Sequence, residues 1–250
     1  MQQKNNIEEW YFLLYAIISA MILTLVYYVH PEIMPFTLFA CFSSTTSPLD
    51  WLQSAIPLFI WVFLLNTCMQ IILLRKKKGD PYWFLIDAIQ PIPIRYQIGR
   101  AWMQATTTGV LEEVTFRWLV YGASIPLLLG LNFFFFGFAG YGIVKLLYVN
   151  FFNRIADIAT LEFLHPYLFA ASGWTTGAAV LSANGLFRNG HSYQGIFGLI
   201  NSWFTGMFLF WIFFHHGLLA CMLIHIIHNL IVYHINIIAS IIGKRILSKS

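Results

Sequence analysis

Charged residues are scarce in this chain. Only 10% of its 250 residues are Asp, Glu, Lys or Arg, whereas 59% are hydrophobic, and the mean hydropathy is +0.71. Soluble domains carry about 25% charged and about 45–50% apolar residues. The shortage of charge excludes an ordinary soluble domain and predicts an integral membrane protein.

Cysteine is also rare. The three cysteines, Cys41, Cys68 and Cys221, are too few and too scattered for a disulfide framework, and no CxxC pair suggests a structural metal site. The net charge of +4 comes from basic residues at the ends of apolar runs rather than from a basic stripe with interleaved aromatics. We therefore expect no nucleic-acid partner.

The apolar residues form runs of about 20 residues, the length that a helix needs to cross the hydrocarbon layer. Because the runs are continuous and do not alternate in polarity, they predict helices rather than a β-barrel. We expect an all-α, polytopic transmembrane bundle of seven or eight spans. The seven predicted spans lie at about 10–29, 51–74, 98–121, 125–148, 164–187, 196–214 and 218–242. The proline-rich stretch 79–100 is an eighth if it enters the membrane, although a re-entrant or surface helix is favoured there.

Basic clusters predict the orientation in the membrane. The strongest one, at 75–78, follows the second run, so the positive-inside rule assigns it and the N-terminus to the cytoplasmic side. Lys244, Arg245 and Lys249 favour a cytoplasmic C-terminus and hence an even number of spans. This conflicts with the count of seven, so the parity stays open. We expect one integral membrane domain over 1–250, located in the cell (plasma) membrane, without repeats or linkers.

Three charged residues interrupt the apolar stretch "GVLEEVTFRWLVYG" at 109–122. Each ionisable group at membrane depth costs at least about 2.5–3.5 kcal/mol, so such groups are usually functional or mutually paired. On a helix, Glu113 and Arg117 share a face and form a favourable i,i+4 pair. Glu112 lies about 140° from Arg117 and cannot share that pairing. We therefore interpret Glu113 and Arg117 as structural and Glu112 as a candidate general base.

Further polar residues lie in "ACMLIHIIHNLIVYH" at 220–234. His225 and Asn229 are four residues apart on one helix face, with His228 about 60° off that face. An imidazole and a carboxamide that project together can donate hydrogen bonds to a developing oxyanion, although they can equally bind a metal or each other. His191, in "GLFRNGHSYQG" at 185–195, lies near the end of a predicted span, where water can reach it.

Each of these groups also has a purely structural interpretation. Polar side chains commonly hold membrane helices together through ion pairs and interhelical hydrogen bonds. Taken alone, His191 is more simply a hydrogen-bonded interfacial histidine than a catalytic one. Interfacial positions are also expected for the remaining histidines, which are His30, His165, His215, His216 and His234.

The combination is more specific than its parts. Glu-Glu-x-x-x-Arg at 112–117, Phe-x-x-x-His at 187–191 and His-x-x-x-Asn at 225–229 resemble, in this order, the three motifs of the intramembrane CAAX-protease and bacteriocin-processing family, also called the CPBP or Abi family. The flanking segments "HSYQG" and "GLLACMLIH" resemble that family as well. The resemblance covers about 98–242 as a protease-like core, with an inserted segment at about 132–167. Within the second motif, Arg188 and Asn189 stand where the family usually has small or apolar residues.

The resemblance implies a helical bundle around a conical cavity and an endopeptidase that hydrolyses a peptide bond near the membrane surface. Glu112 would activate the hydrolytic water with His191 beside it, and His225 with Asn229 would stabilise the oxyanion. Glu113 and Arg117 would support the site. The implied partner is a peptide or protein substrate, prenylated or not, in the lipid bilayer.

The sequence leaves two alternatives open. Glu112, His191 and His225 are a possible three-ligand zinc site, but the chain lacks HExxH and is equally compatible with a metal-free mechanism. A different class of function is a non-catalytic immunity or peptide-binding protein, or a proton-coupled carrier. Carriers often show inverted repeats, and none is apparent here.

Overall fold

The computed structural model describes residues 2–33, 40–44, 46–75, 93–170 and 173–247, and these residues form helices and turns without a strand. Its α-helices are α1 Gln2–Val29, α2 Pro48–Ser54, α3 Ile56–Arg75, α4 Ile94–Glu113, α5 Tyr121–Phe134, α6 Ile143–Leu147, α7 Asn153–Ala159, α8 His165–Leu168, α9 Trp174–Gly190, α10 Gly195–His216 and α11 Leu218–Leu247. Two π-helical segments, Val114–Val120 and Tyr148–Phe152, join α4 to α5 and α6 to α7. The expected all-α class is confirmed for these ranges.

Three helical segments of the described residues are long and apolar enough to cross a membrane. They are Ile94–Phe134, Ser192–His216 and Leu218–Ile242. A fourth arises if α2 and the Ile56–Ile72 part of α3, which meet at a bend of 47°, form one span. Leu13–Val29 is apolar but shorter. These helices support an integral membrane protein, with fewer qualifying spans than the seven or eight predicted from the apolar runs.

Two of the predicted runs are not continuous helices. The run at 125–148 is interrupted after Phe134, where Phe136, Gly140 and Gly142 adopt left-handed backbone conformations that an α-helix does not contain. The run at 164–187 is interrupted between Leu168, where α8 ends, and Trp174, where α9 begins. Hydropathy alone does not register such breaks, because the residues that cause them are themselves apolar or small.

Several sequence predictions fall outside the described residues. They concern the basic residues Lys76, Lys77, Lys78 and Lys249, and residues 79–92 of the proline-rich stretch 79–100. The last part of that stretch, from Ile94 onward, is the beginning of α4.

The chain divides into two compact units. The first contains Met1–Thr45 and Glu112–Cys221. In this unit α9 packs against both α5 and α10, and α1 packs against the first π-helical segment and α5. The approach of α1 to α5 is close at Gly122, because a Cβ added there would lie 2.9 Å from Cδ2 of Leu23.

The second unit contains Thr46–Leu111 and Met222–Ser250. Its first helix, α2, begins with a capping box in which Ser47 and Asp50 bond each other's backbone amides. Within this unit the amide Nε2 of Gln70 donates to Oδ1 of Asn236 at 2.8 Å. Gly109 of α4 lies against Ile226 of α11, where an added Cβ would come within 2.8 Å of Cγ1 and 3.1 Å of the backbone nitrogen.

Candidate functional site

A buried ion pair is the centre of the first unit. Nη1 of Arg117 donates to Oε1 of Glu113 at 3.0 Å, and both side chains are fully buried. The other carboxylate oxygen, Oε2, accepts from the thiol of Cys221 at 2.8 Å. The ion pair expected from the i,i+4 spacing is therefore present, and each oxygen of Glu113 has its own donor.

Arg117 is enclosed by backbone and aromatic groups. Its Nη2 donates to the carbonyl oxygen of Gly206 at 3.3 Å. Its Cζ lies 4.4 Å from the ring centroid of Phe187 and 5.3 Å from that of Phe210. Cation–π contacts of this kind are strongest where the charge is removed from water, so these rings help to compensate for the burial of the guanidinium group.

The helix containing the first motif is not a regular α-helix. Beyond Glu113 the backbone is π-helical over Val114–Val120, with hydrogen bonds from i to i+5 and more residues in each turn. The i,i+4 pair inferred from α-helical geometry still forms, although Arg117 lies in the middle of this π-helical segment. Short π-helical segments are rare and frequently occur at functional sites.

Glu112 is half-buried at the end of α4 and belongs to the same unit as Glu113. The structure gives the guanidinium group of Arg117 to Glu113. The predicted pairing of Glu113 with Arg117 is therefore present, whereas the catalytic role of Glu112 stays a prediction.

His191 follows the last residue of α9 and is partly exposed. Its Nδ1 lies 2.9 Å from the carbonyl oxygen of Phe187. A carbonyl oxygen only accepts hydrogen bonds, so Nδ1 is the donor, and in the neutral ring Nε2 is the acceptor. The imidazole also contacts the ring of Phe187, with 4.8 Å between the centroids.

His225, His228 and Asn229 belong to the second unit. Both histidines are buried on α11, and their rings meet edge to face with 5.9 Å between the centroids. Nδ1 of His228 lies 3.2 Å from Oδ1 of Asn229. Asn229 is therefore in contact with its neighbour His228 as well as four residues along the helix from His225.

The predicted site residues are thus divided between the units. Glu112, Glu113, Arg117 and His191 lie in the first unit, and His225 and Asn229 lie in the second. Among the residues that the structure describes, no three His, Cys, Asp or Glu side chains are grouped so that they could hold a metal ion.

Sequence reasoning missed two residues that surround the ion pair. From the sequence, Cys221 was assigned no role beyond the exclusion of a disulfide framework and a CxxC metal site, yet its thiol contacts Glu113 and also lies 3.2 Å from the carbonyl oxygen of Leu209. Gly206 leaves no room for a side chain, since an added Cβ would collide with Oδ1 of Asn184, a fully buried residue whose amide donates to Trp203. A glycine within an apolar helix is the only signal that the sequence offers for this contact.

His165, for which an interfacial position was expected, has a specific hydrogen-bond partner. Its Nδ1 lies 2.8 Å from Oδ2 of Asp157, and the histidine side chain is 57% exposed whereas that of Asp157 is 11% exposed. The two residues flank a turn in which Leu161 and Glu162 have positive φ angles. This contact fastens the end of α7 to the start of α8.

Comparison with known proteins gives no relative: no family model, no curated protein and no solved structure matches this chain.

Proposed function

We propose that this protein is an intramembrane endopeptidase of the CAAX-protease and bacteriocin-processing type. The proposal rests on the three sequence motifs and on one observation in the structure, the buried contact of Glu113 with Arg117. In that contact Arg117, the only arginine of the first motif, pairs with Glu113, one of the motif's two adjacent glutamates. It therefore supports the proposal that Glu113 has a structural role and that Glu112 is the general base.

In the proposed reaction, Glu112 accepts a proton from a water molecule as that water attacks the carbonyl carbon of the substrate's peptide bond. The new C–O bond forms while the carbonyl π electrons move to the oxygen. His225 and Asn229 donate hydrogen bonds to that oxyanion, and His191 orients the water. The carbonyl double bond then re-forms as the C–N bond breaks, and the leaving amine takes the proton that Glu112 received, which regenerates the base. General-base catalysis and oxyanion donors each contribute on the order of 10²–10³-fold in rate.

The proposed bundle has seven or eight spans around a conical cavity that opens towards the membrane surface, where a peptide or protein substrate enters. Zinc held by Glu112, His191 and His225 is the alternative to a metal-free site. Zinc would supply a Lewis acid and lower the pKa of a bound water. In the proposed metal-free reaction, side chains alone carry out the proton transfers.

The decisive comparison is between wild type and Glu112→Gln, purified in detergent and tested on prenylated and unprenylated C-terminal peptides. The amide cannot accept the proton, so we expect kcat to fall by at least about 10²-fold. Glu32→Gln is the matched control, since this glutamate is exposed outside the long helices, and it should cleave like wild type. Equal cleavage by Glu112→Gln and wild type would exclude the proposed base.

Two further outcomes of the same preparation separate the alternatives. Activity that survives exhaustive chelation, in protein without zinc by elemental analysis, would exclude the metal version. Saturable binding of the peptides without any cleavage by wild type would instead favour the immunity or peptide-binding function.

A further inference from the structure

Phe187 connects the ion pair to His191. It lies on α9 one helical turn before His191, and it is 2% exposed. Its ring centroid is 4.4 Å from Cζ of Arg117 and 4.8 Å from the imidazole centroid. One aromatic ring is therefore in contact with both the buried guanidinium group and the histidine of the second motif.

The imidazole of His191 is held at its edge as well as at its face. The backbone carbonyl of Phe187 accepts from Nδ1, and the ring of Tyr193 stacks at 6.2 Å with an interplanar angle of 24°. Two rings limit the rotation of the imidazole, and the carbonyl decides which nitrogen carries the proton. In neutral His191, Nε2 is then left as a hydrogen-bond acceptor.

We infer that Phe187 is a positioning residue, which holds His191 in the Nδ1–H tautomer and presents Nε2 as an acceptor. This deepens the proposed function and rests on it in one respect, that the acceptor serves the hydrolytic water. A water that donates one hydrogen to Nε2 of His191 and the other to the carboxylate of Glu112 has a lone pair directed away from both. Phe187 would thus link the orientation of that water to the Glu113–Arg117 pair.

The tautomer is measurable without a substrate. In protein labelled with ¹⁵N-histidine, the two nitrogens of a neutral imidazole have different chemical shifts according to which one carries the proton. His191→Gln identifies the signal by removing it. We expect His191 to show protonated Nδ1 and unprotonated Nε2, and a wild-type spectrum with the proton on Nε2 would overturn the inference.

The role of the ring requires a variant that removes it. Phe187→Leu keeps an apolar side chain, and Phe187→Met is a second choice because methionine fills irregular gaps. In whichever variant retains the fold, we expect the signal of His191 to become a mixture of tautomers. An unchanged tautomer in either folded variant would show that Phe187 does not position the ring, and loss of folding in both would make its role structural.

Phe116 provides the matched control. It is another buried phenylalanine, packed edge to face on Phe187 with 5.5 Å between the centroids. Phe116→Leu therefore removes the same kind of ring from the same cluster. We expect its stability to fall as in Phe187→Leu while the tautomer of His191 stays unchanged, and a tautomer shift in Phe116→Leu would mean that general loosening is the cause.

Measuring peptide cleavage by the same variants distinguishes a failure of this inference from a failure of the proposed function. If wild type cleaves the peptides, Phe187→Leu should lower kcat by about 10²-fold with little change in KM, as expected for a misplaced catalytic group. A cleaving enzyme with the wrong tautomer would overturn the inference alone. The expected tautomer in a protein that does not cleave would overturn the proposed function and leave the positioning of His191 intact.

Discussion

At the scale of single residues, burial decides which polar side chains destabilise the protein most when they are substituted. Glu113 and Arg117 are fully buried, and the donors to Glu113 include the guanidinium group and the thiol of Cys221. Two ions removed from water are tolerated only when their geometry and additional hydrogen bonds compensate for the lost hydration. The sequence predicted the pair because it is local, but Cys221 lies 108 residues from Glu113, and no pattern along the chain connects them.

Glu113→Gln should therefore destabilise the protein strongly. The substitution leaves the buried charge of Arg117 without its carboxylate partner, for which the expected loss is about 3–5 kcal/mol. Thermal unfolding in detergent, followed by circular dichroism, measures this loss as a lower Tm.

Cys221→Ala is the graded comparison for that measurement. It removes one neutral donor to Glu113, so we expect a loss of only about 1 kcal/mol. A Glu113→Gln variant as stable as wild type, with its turnover abolished, would reverse the roles assigned to the two glutamates.

At the scale of helices, two helices can approach each other closely where one of them has a glycine, which carries no side chain. Gly109 of α4 lies against Ile226 of α11 within the second unit. The sequence predicted both helices from their apolar content. It did not predict their contact, because contacts between residues far apart in the chain are set by packing rather than by local composition.

Gly109→Ala and Gly99→Ala should have effects of opposite sign, although both glycines belong to α4. Alanine is the better helix former by about 0.5–1 kcal/mol. Among the residues that the structure describes, an added Cβ at Gly99 meets nothing within 4 Å, so Gly99→Ala should raise Tm. At Gly109 the added Cβ would approach the backbone of Ile226, and overpacking costs about 1–3 kcal/mol. Equal or raised stability of Gly109→Ala would contradict the close packing of these helices.

The backbone of the motif helix is a second feature at this scale. The arithmetic of 3.6 residues per turn holds as far as Glu113 and fails over Val114–Val120, which is π-helical. A π-helical turn accommodates an extra residue at the cost of less favourable backbone geometry. Over so short a segment, the hydrophobic periodicity expected of an α-helix is too similar to that of a π-helix for the sequence to distinguish them.

At the scale of the whole molecule, the balance of charge predicts orientation. The cluster at 75–78 and the basic residues at 244–249 both favour the cytoplasmic side. Epitope tags at the N-terminus, in the segment 76–92 and at the C-terminus test this. All three should be digested by protease in inside-out vesicles and protected in right-side-out vesicles. A C-terminal tag with the opposite behaviour would establish an odd number of spans and show that the last basic cluster does not direct topology.

Composition and local spacing determined that this is an all-α membrane protein and that Glu113 pairs with Arg117, because solvent preference and i,i+4 geometry are properties of neighbouring residues. Only the tertiary structure decided where the apolar runs end as helices, as at Phe136 and Gly142, and which distant groups complete the ion pair. Those features depend on backbone conformations and on contacts between segments far apart in the chain. The carbonyl of Gly206 and the thiol of Cys221 reach the Glu113–Arg117 pair through packing, which the order of residues does not reveal.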